Sequence, residues 1–131
     1  MIIHYFKGGN CPLTLNFHSG EFDCHCGYQE CNVTYIDLDL VYKLQQKRDQ
    51  WQQPIHINSG FRCARHNKEV GGKDGSYHMI GKAADIRVDG MTADAIADQC
   101  EDFNGLGRYD TFTHVDVRGN KSRWDLRKPL K

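Results

Sequence analysis

Two histidines and one aspartate are the residues of this chain best suited to chemistry. His78 and Asp85 lie seven positions apart, in a stretch that also holds a glycine and two alanines. His114 lies far downstream, within a run in which polar and apolar residues alternate. Two histidines and one carboxylate are the ligand set of a catalytic zinc site, which keeps one position open for water. The sequence therefore predicts a Zn²⁺ site formed by His78, Asp85 and His114.

A zinc site of this kind favours hydrolysis of an amide or an ester, because bound zinc activates water and polarises a carbonyl group. Hydrolysis also needs a base, and Asp116 lies two residues after His114 on the same strand face. Asp116 could accept the proton of the water, or it could instead orient a ligand imidazole. Arg62 follows a Ser-Gly turn and could hold a substrate carboxylate or stabilise an oxyanion. Both residues could instead have no part in the chemistry. Asp116 could simply face solvent, and Arg62 could be a structural salt-bridge partner.

The residue pattern also predicts the elements that must position these side chains. Alternating polarity predicts strands, and the 3.6-residue spacing of apolar residues predicts helices. The predicted strands span residues 2–6, 55–58, 83–88 and 108–117, and the predicted helices span 37–51, 64–70 and 92–103. A carboxylate such as Asp85 in a small, apolar strand costs free energy unless it is paired or bound to a metal. The mixed order of elements favours an α+β fold, a small and mostly antiparallel sheet with helices on one face and the zinc site on the other.

The composition fits a single domain over residues 1–131. Within it we distinguish a Cys-rich N-terminal extension (1–35), a catalytic core (36–119) and a tail (120–131) that we expect to be irregular. Hydrophobic residues make up 39% of the chain, which argues against disorder. Seventeen basic and seventeen acidic residues cancel, so we expect neither nucleic acid nor a membrane as a partner, and we expect a monomer.

Six cysteines are many for a chain of this length. Cys24, Cys26 and Cys31 lie close together and resemble part of a metal knuckle, although the sequence lacks two clean CxxC pairs. The first residues show no basic segment followed by an apolar segment and a cleavage site, so no export signal is predicted. Without export, disulfides are less favoured. Disulfides, a second and structural zinc, and free thiols all remain open.

Four motifs in order along the chain resemble the M15 family of zinc peptidases. They are Ser59-Gly60-Phe61-Arg62, Asn67 with Val70-Gly71-Gly72, Ser76-x-His78-x-x-Gly81-x-Ala83-x-Asp85, and His114-Val115-Asp116. The resemblance spans about residues 36–119. The family includes D-alanyl-D-alanine carboxypeptidases and phage endolysin-type L-alanyl-D-glutamate peptidases. The resemblance implies a peptidase that cuts stem peptides of bacterial peptidoglycan, often at bonds involving D-amino acids.

Matched residue by residue, the resemblance implies zinc ligation by His78, Asp85 and His114 and substrate binding by Arg62 and Ser76. Many members carry an acidic base three positions before the last histidine, and that position here is Thr111. We therefore predict Asp116 as the base, with Asp110 as the alternative.

The missing acid at position 111 motivates a different hypothesis, a zinc-containing module that binds cell wall or a partner without turnover. A third hypothesis is a structural part of a phage tail, with the cysteine segment as an assembly surface. Without an export signal, we expect synthesis in the cytoplasm, and action on the cell wall or periplasm after release or as part of a phage particle.

Overall fold

A computed structural model describes residues 1–128 of the chain. Within that range, the chain forms three α-helices and seven strands, and the strands make two sheets. The elements are β1 (Ile2–Phe6), β2 (Val33–Asp37), α1 (Leu38–Trp51), β3 (Ile55–Ser59), α2 (Ala64–Glu69), β4 (Ala83–Val88), α3 (Ala93–Asp98), β5 (Gly105–Arg108), β6 (Thr113–Asp116) and β7 (Ser122–Asp125). Single 3₁₀ turns occupy Ser19–Phe22 and Tyr77–Ile80. In this part of the chain, no helix has the length and apolar character needed to cross a membrane.

The larger sheet has the strand order β3-β4-β6-β5-β7, and the smaller one pairs β1 with β2. All neighbours in the larger sheet are antiparallel except β5 and β7, which are parallel. The α+β fold with a mostly antiparallel sheet is therefore confirmed, and the sheet is mixed through its last strand.

The two faces of the larger sheet have different roles. Because side chains alternate along a strand, β4 directs Ala84, Ile86 and Val88 into the core and Asp85 to the opposite face. Helices α1 and α3 cover the core face. Their buried apolar residues are Leu40, Val41, Leu44, Ile96 and Ala97. The polar face is left for the side chains predicted to carry the chemistry.

The strand predicted over residues 108–117 is shorter than expected, since β6 covers only Thr113–Asp116, and the residues before it form a second strand, β5, that pairs with β6. Strand β5 was not predicted from the sequence, because it contains Gly105 and Gly107 and glycine is unfavourable in strands. The structure shows why glycine is present. A Cβ atom at position 105 would lie 2.0 Å from Asp116 Oδ1, and one at position 107 would lie 2.4 Å from the Trp124 ring.

The prediction of irregular structure for residues 120–131 is wrong for Ser122–Asp125, which form strand β7. Ser122–Asp125 pairs with β5, and this pairing sets Trp124 beside Gly107. A four-residue strand with three polar residues has no recognisable pattern, so only the available edge of β5 specifies it. Residues 129–131 of the predicted tail lie outside the described part of the chain.

Residues 1–35 pack into the same core as the rest of the chain. Phe17 and Phe22 are buried in the main hydrophobic cluster, and β1 pairs along the whole of β2. Phe22 also contacts the turn after β3: its carbonyl oxygen accepts a hydrogen bond from Phe61 N at 2.9 Å. The N-terminal segment is thus held directly against the turn that contains Arg62.

Gly81 joins the turn that carries His78 to the strand that carries Asp85. Its φ is +76°, and a Cβ atom there would lie 2.2 Å from the carbonyl oxygen of Tyr35. A left-handed conformation costs an L-residue about 1–2 kcal/mol, and a clash in a packed region adds about 1–3 kcal/mol. We therefore expect Gly81→Ala to lower the free energy of unfolding by at least about 2 kcal/mol in urea denaturation.

The matched control is Gly90→Ala. Gly90 has a φ of +84°, but nothing lies within 4 Å of its Cβ position. This variant should lose only the backbone contribution of about 1–2 kcal/mol. Equal losses in the two variants would show that the contact with Tyr35 carries no energetic weight.

Candidate metal centre

Three different elements bring His78, Asp85 and His114 together at one place on the polar face of the larger sheet. Asp85 on β4 and His114 on β6 are direct register partners. His78 comes from the 3₁₀ turn that precedes β4. Their exposed fractions are only 2%, 6% and 7% in the order His78, Asp85, His114, and their candidate ligand atoms lie within 4.8 Å of one another. The convergence agrees with the sequence prediction, while ligation itself stays a prediction.

The orientation of His78 is set by its backbone surroundings. Nδ1 lies 2.7 Å from the carbonyl oxygen of Gly60, which can only accept a hydrogen bond. Nδ1 must therefore carry a proton, and Nε2 is left facing Asp85 Oδ1 at 3.3 Å. Gly60 is close to the N-terminal segment, since a Cβ atom there would lie 2.7 Å from Phe22 Cα. The contact with Phe22 thus helps to hold the carbonyl that orients His78.

His114 lies between two carboxylates. Nε2 is 2.7 Å from Asp116 Oδ2, and Nδ1 is 3.0 Å from Asp85 Oδ1. Burial opposes protonation of this imidazole, but hydrogen bonds to Asp116 and Asp85 outweigh burial and raise the pKa of His114.

Asp85 has a different partner on each oxygen. Oδ1 faces both imidazoles, and Oδ2 accepts a hydrogen bond from Arg62 Nη2 at 3.1 Å. Burial would raise the pKa of Asp85, but hydrogen bonds to His114 and His78 and their charges lower it well below the usual range. Asp85 is therefore an ionised carboxylate with one oxygen directed toward both histidines.

The contacts between the two imidazoles and Asp85 indicate a cation site. His78 Nε2 and His114 Nδ1 both face Asp85 Oδ1, and each contact is attractive only if the nitrogen carries a second proton or a cation lies between. One divalent cation would replace both protons without changing the net charge. In a tetrahedral zinc site with bonds of about 2.0–2.1 Å, neighbouring donor atoms are about 3.3 Å apart. The observed separations of 3.3 and 3.0 Å fit that spacing.

Asp116 is fully buried behind the ring of His114. Its carboxylate accepts hydrogen bonds from Arg118 N, Nε and Nη2 at 3.1, 2.8 and 2.7 Å, in addition to the contact with His114. Burial would raise the pKa of Asp116, but hydrogen bonds from Arg118 and His114 lower it well below the usual range. Such a carboxylate fixes the His114 tautomer with Nδ1 free for a metal. Of the two roles open for Asp116, the geometry favours orientation over proton transfer.

Arg62 lies beside the cluster and is held by three neighbours. Nε donates to Ser59 Oγ at 3.0 Å, Nη1 donates to Asn67 Oδ1 at 3.2 Å, and Nη2 donates to Asp85. The backbone N–H of Arg62 also donates to the carbonyl oxygen of His78 at 3.1 Å. The guanidinium lines the cavity above the cluster, so it can meet a ligand while it supports Asp85.

A cavity of about 530 Å³ opens above the three residues. One side is formed by the glycine-containing loop of residues 70–76, and the other by aromatic side chains. Tyr109 stacks on Phe112 with ring centroids 4.4 Å apart, and the Trp124 ring packs against the His114 ring with centroids 5.0 Å apart. A cavity with apolar walls and a few converging polar groups is the usual form of a small-ligand site.

The remaining predicted residues have other local contacts. Ser76 lines the cavity, and its Oγ accepts a hydrogen bond from His78 N at 3.3 Å, so it caps the turn that carries His78. Asp110 is exposed and accepts from the backbone N–H of Lys128 at 3.2 Å. Asp110 and Thr111 do not line the cavity as the described residues define it.

Sequence reasoning missed several contributors to this centre. Arg118 holds Asp116, Trp124 covers His114, and the carbonyl of Gly60 orients His78. The Arg118 guanidinium also stacks 4.4 Å from the centre of the Tyr77 ring. The short sequence His-Val-Asp-Val-Arg gave one usable signal, because it sets a cation two residues after the carboxylate.

Comparison with known proteins identifies relatives of this chain. A family model described as peptidase M15 matches residues 15–116, most of the sequence. A zinc D-Ala-D-Ala carboxypeptidase from Streptomyces albus G is 44% identical over 50 residues. That match covers 37% of this chain and 20% of the relative, so the alignment spans only about a fifth of the relative's length.

Proposed function

This chain belongs to the peptidase M15 family, and we propose that it is a zinc-dependent peptidase that hydrolyses peptide bonds in stem peptides of bacterial peptidoglycan. Membership confirms the resemblance carried by the four sequence motifs. Zinc as the cofactor agrees with the zinc enzyme among its relatives and with the donor set of the site. The name of that relative, a D-Ala-D-Ala carboxypeptidase, supports a peptidoglycan stem peptide as the substrate.

The buried convergence of His78, Asp85 and His114 beneath an open cavity carries this proposal. We assign zinc to His78 Nε2, Asp85 Oδ1 and His114 Nδ1, since the other nitrogen of each imidazole is already hydrogen-bonded. Bound zinc supplies a Lewis acid that polarises a carbonyl group and activates water.

The protein's own groups supply orientation and charge. Asp116 holds the His114 Nε2 proton and so keeps Nδ1 directed at Asp85. Arg62 supports Asp85 and offers its remaining N–H groups to a substrate carboxylate or to the charge that develops on a carbonyl oxygen. The aromatic wall of Tyr109, Phe112 and Trp124 excludes water from one side of the bound peptide.

Digestion of purified peptidoglycan, with and without a strong chelator, tests the proposal. We expect new peptide products by mass spectrometry only while zinc is present. Loss of a single alanine would identify a carboxypeptidase, and a severed stem peptide would identify an endopeptidase. Equal cleavage by metal-free protein would overturn the proposal. Tight zinc binding with no cleavage would instead identify the non-catalytic binding module.

Substitution of Asp116 separates orientation from proton transfer. The amide in Asp116→Asn would keep an oxygen for the His114 Nε2 proton but would lose the negative charge. We expect this variant to bind zinc about 10–100-fold more weakly, with most activity restored by saturating zinc. Zinc titrations and kcat measured at saturating metal provide the two readouts.

A different result is expected if Asp116 is the general base. The kcat value would then fall by about 10²–10⁴-fold at saturating zinc, with metal affinity nearly unchanged. Asp110→Asn tests the alternative base, an exposed carboxylate that accepts hydrogen bonds from the Lys128 backbone N–H among the described residues. It should leave both zinc affinity and kcat close to the parent values.

A further inference from the structure

Four cysteines converge at a second place, away from the cavity. Cys24, Cys26 and Cys31 come from the N-terminal segment, and Cys63 comes from the residue before α2. All four Sγ atoms lie within 4.8 Å of one another. Cys63 Sγ is 3.8 Å from Cys24 Sγ and 3.9 Å from Cys26 Sγ. None of the four forms a disulfide in the structure.

We propose that Cys24, Cys26, Cys31 and Cys63 bind a second, structural Zn²⁺. In a tetrahedral tetrathiolate site with Zn–S bonds of about 2.3 Å, neighbouring sulfurs are about 3.8 Å apart. The measured separations of 3.8 and 3.9 Å match that spacing. A disulfide would need sulfurs at about 2.05 Å and would use the thiols in pairs. One Cys63 sulfur at nearly equal distance from two others fits a shared ion better than a pair.

The surroundings of the quartet suit a charged metal thiolate. Cys24 and Cys31 are buried against Phe61, which shields the sulfurs from water. The Lys7 ammonium lies 3.5 Å from Cys26 Sγ and 3.0 Å from the Cys26 carbonyl oxygen. Zinc with four thiolates carries a net charge of two minus, and this lysine offsets part of it.

Backbone N–H groups also point at the sulfurs. Cys63 N lies 3.5 Å from Cys24 Sγ, and His66 N lies 3.4 Å from Cys63 Sγ. These contacts stabilise thiolate, which is the form that binds zinc.

The position of Cys63 gives this second zinc a structural role. Cys63 directly follows Arg62, and the backbone N–H of Phe61 donates a hydrogen bond to the carbonyl oxygen of Phe22 in the N-terminal segment. A metal at the quartet would therefore fasten residues 24–31 to the turn that presents Arg62 to the cavity. The proposal does not depend on the peptidase assignment, because the two metal centres share no ligand.

Metal analysis of the full chain, purified under reducing conditions, tests the second site. We expect two zinc ions per chain in the parent protein and one in Cys26→Ser. His114→Ala should also keep one, the ion of the cysteine quartet. Cys11→Ser is the matched control, since Cys11 is exposed and lies outside the quartet, and it should keep two. A single zinc that is lost in His114→Ala and kept in Cys26→Ser would overturn the proposal but leave the peptidase site intact.

Measurements on the parent protein test the second site even if Cys26→Ser does not fold. Titration with an organomercurial should release one zinc as the four thiols of the quartet react in addition to the exposed Cys11, while the second zinc stays bound. Cobalt substitution should add the intense visible absorption of a tetrahedral thiolate centre. Mass spectrometry after alkylation should find all six cysteines reduced. Pairs of cysteines that lack the alkyl group, together with no thiol-released zinc, would show disulfides and overturn the proposal.

Discussion

His114→Ala is expected to abolish both zinc binding at the cavity and peptide hydrolysis. The substitution removes one of three proposed ligands and leaves Asp85 and Asp116 without the imidazole that lies between them. Zinc as a Lewis acid is worth several kcal/mol in the transition state, and each 1.36 kcal/mol is a factor of ten in rate. We therefore expect kcat/KM to fall by at least about 10³-fold, measured on a peptide ending in D-Ala-D-Ala.

Zinc content and folding must be measured beside the activity. Removing the imidazole leaves the buried carboxylates of Asp85 and Asp116 without a hydrogen-bond partner that they share, so the variant will lose stability as well as metal. His56→Ala is the control, because His56 is half exposed and pairs only with Asp89 among the described residues. A folded His114→Ala protein that retained cavity zinc and full activity would contradict the assignment of His114 as a ligand.

The sequence alone identifies the parts of the centre that depend on local pattern. The alternation in β4 directs Asp85 away from the core, and the spacing in α1 predicts the buried Leu40, Val41 and Leu44. The motif that contains His78 and Asp85 also carries most of the resemblance to the family. These features are readable because strand and helix periods act on neighbouring residues.

Contacts between distant segments were the ones missed. Cys63 lies 39 residues from Cys24, and the partial resemblance to a metal knuckle in the N-terminal segment lacked this fourth thiol. Strand β5 was missed because Gly105 and Gly107 are selected by close contact with Asp116 and Trp124 rather than by strand preference. Such residues satisfy constraints set by the fold, so their purpose shows only when both partners are seen together.

The two centres are linked through the short segment between β3 and α2. The Gly60 carbonyl orients His78, the Arg62 side chain supports Asp85, and Cys63 belongs to the thiol quartet. Residues 60–63 therefore connect the proposed structural metal to the proposed catalytic one. Small displacements of this segment should affect catalysis more than stability, since a shift of about 1 Å in a positioned group can cost about 10²-fold in rate.

Arg62→Lys is expected to lower kcat/KM by about 10²–10³-fold while zinc remains bound. A planar guanidinium can contact Ser59, Asn67 and Asp85 together and still present N–H groups to the cavity. A lysine ammonium is a single point charge and cannot reproduce this fork. The expected loss is the size observed when one preorganised donor to a developing oxyanion is removed. Steady-state kinetics at saturating zinc, with metal content measured in parallel, give the result.

Whether the loss appears in the rate at saturating zinc or in zinc affinity identifies the role of Arg62. If it holds a substrate carboxylate or stabilises charge on the carbonyl, added zinc will not restore the rate. If it only supports Asp85, zinc affinity will fall and excess zinc will return activity to the parent value, which would contradict substrate contact by Arg62. Arg65→Lys is the matched control, three residues further on, where the exposed guanidinium pairs with Glu30 at 3.2 Å and stacks on the Tyr28 ring. Exposed ion pairs contribute about 0–1 kcal/mol and exposed cation–π contacts about 0.5–1 kcal/mol, so the control should lose little stability and keep its rate.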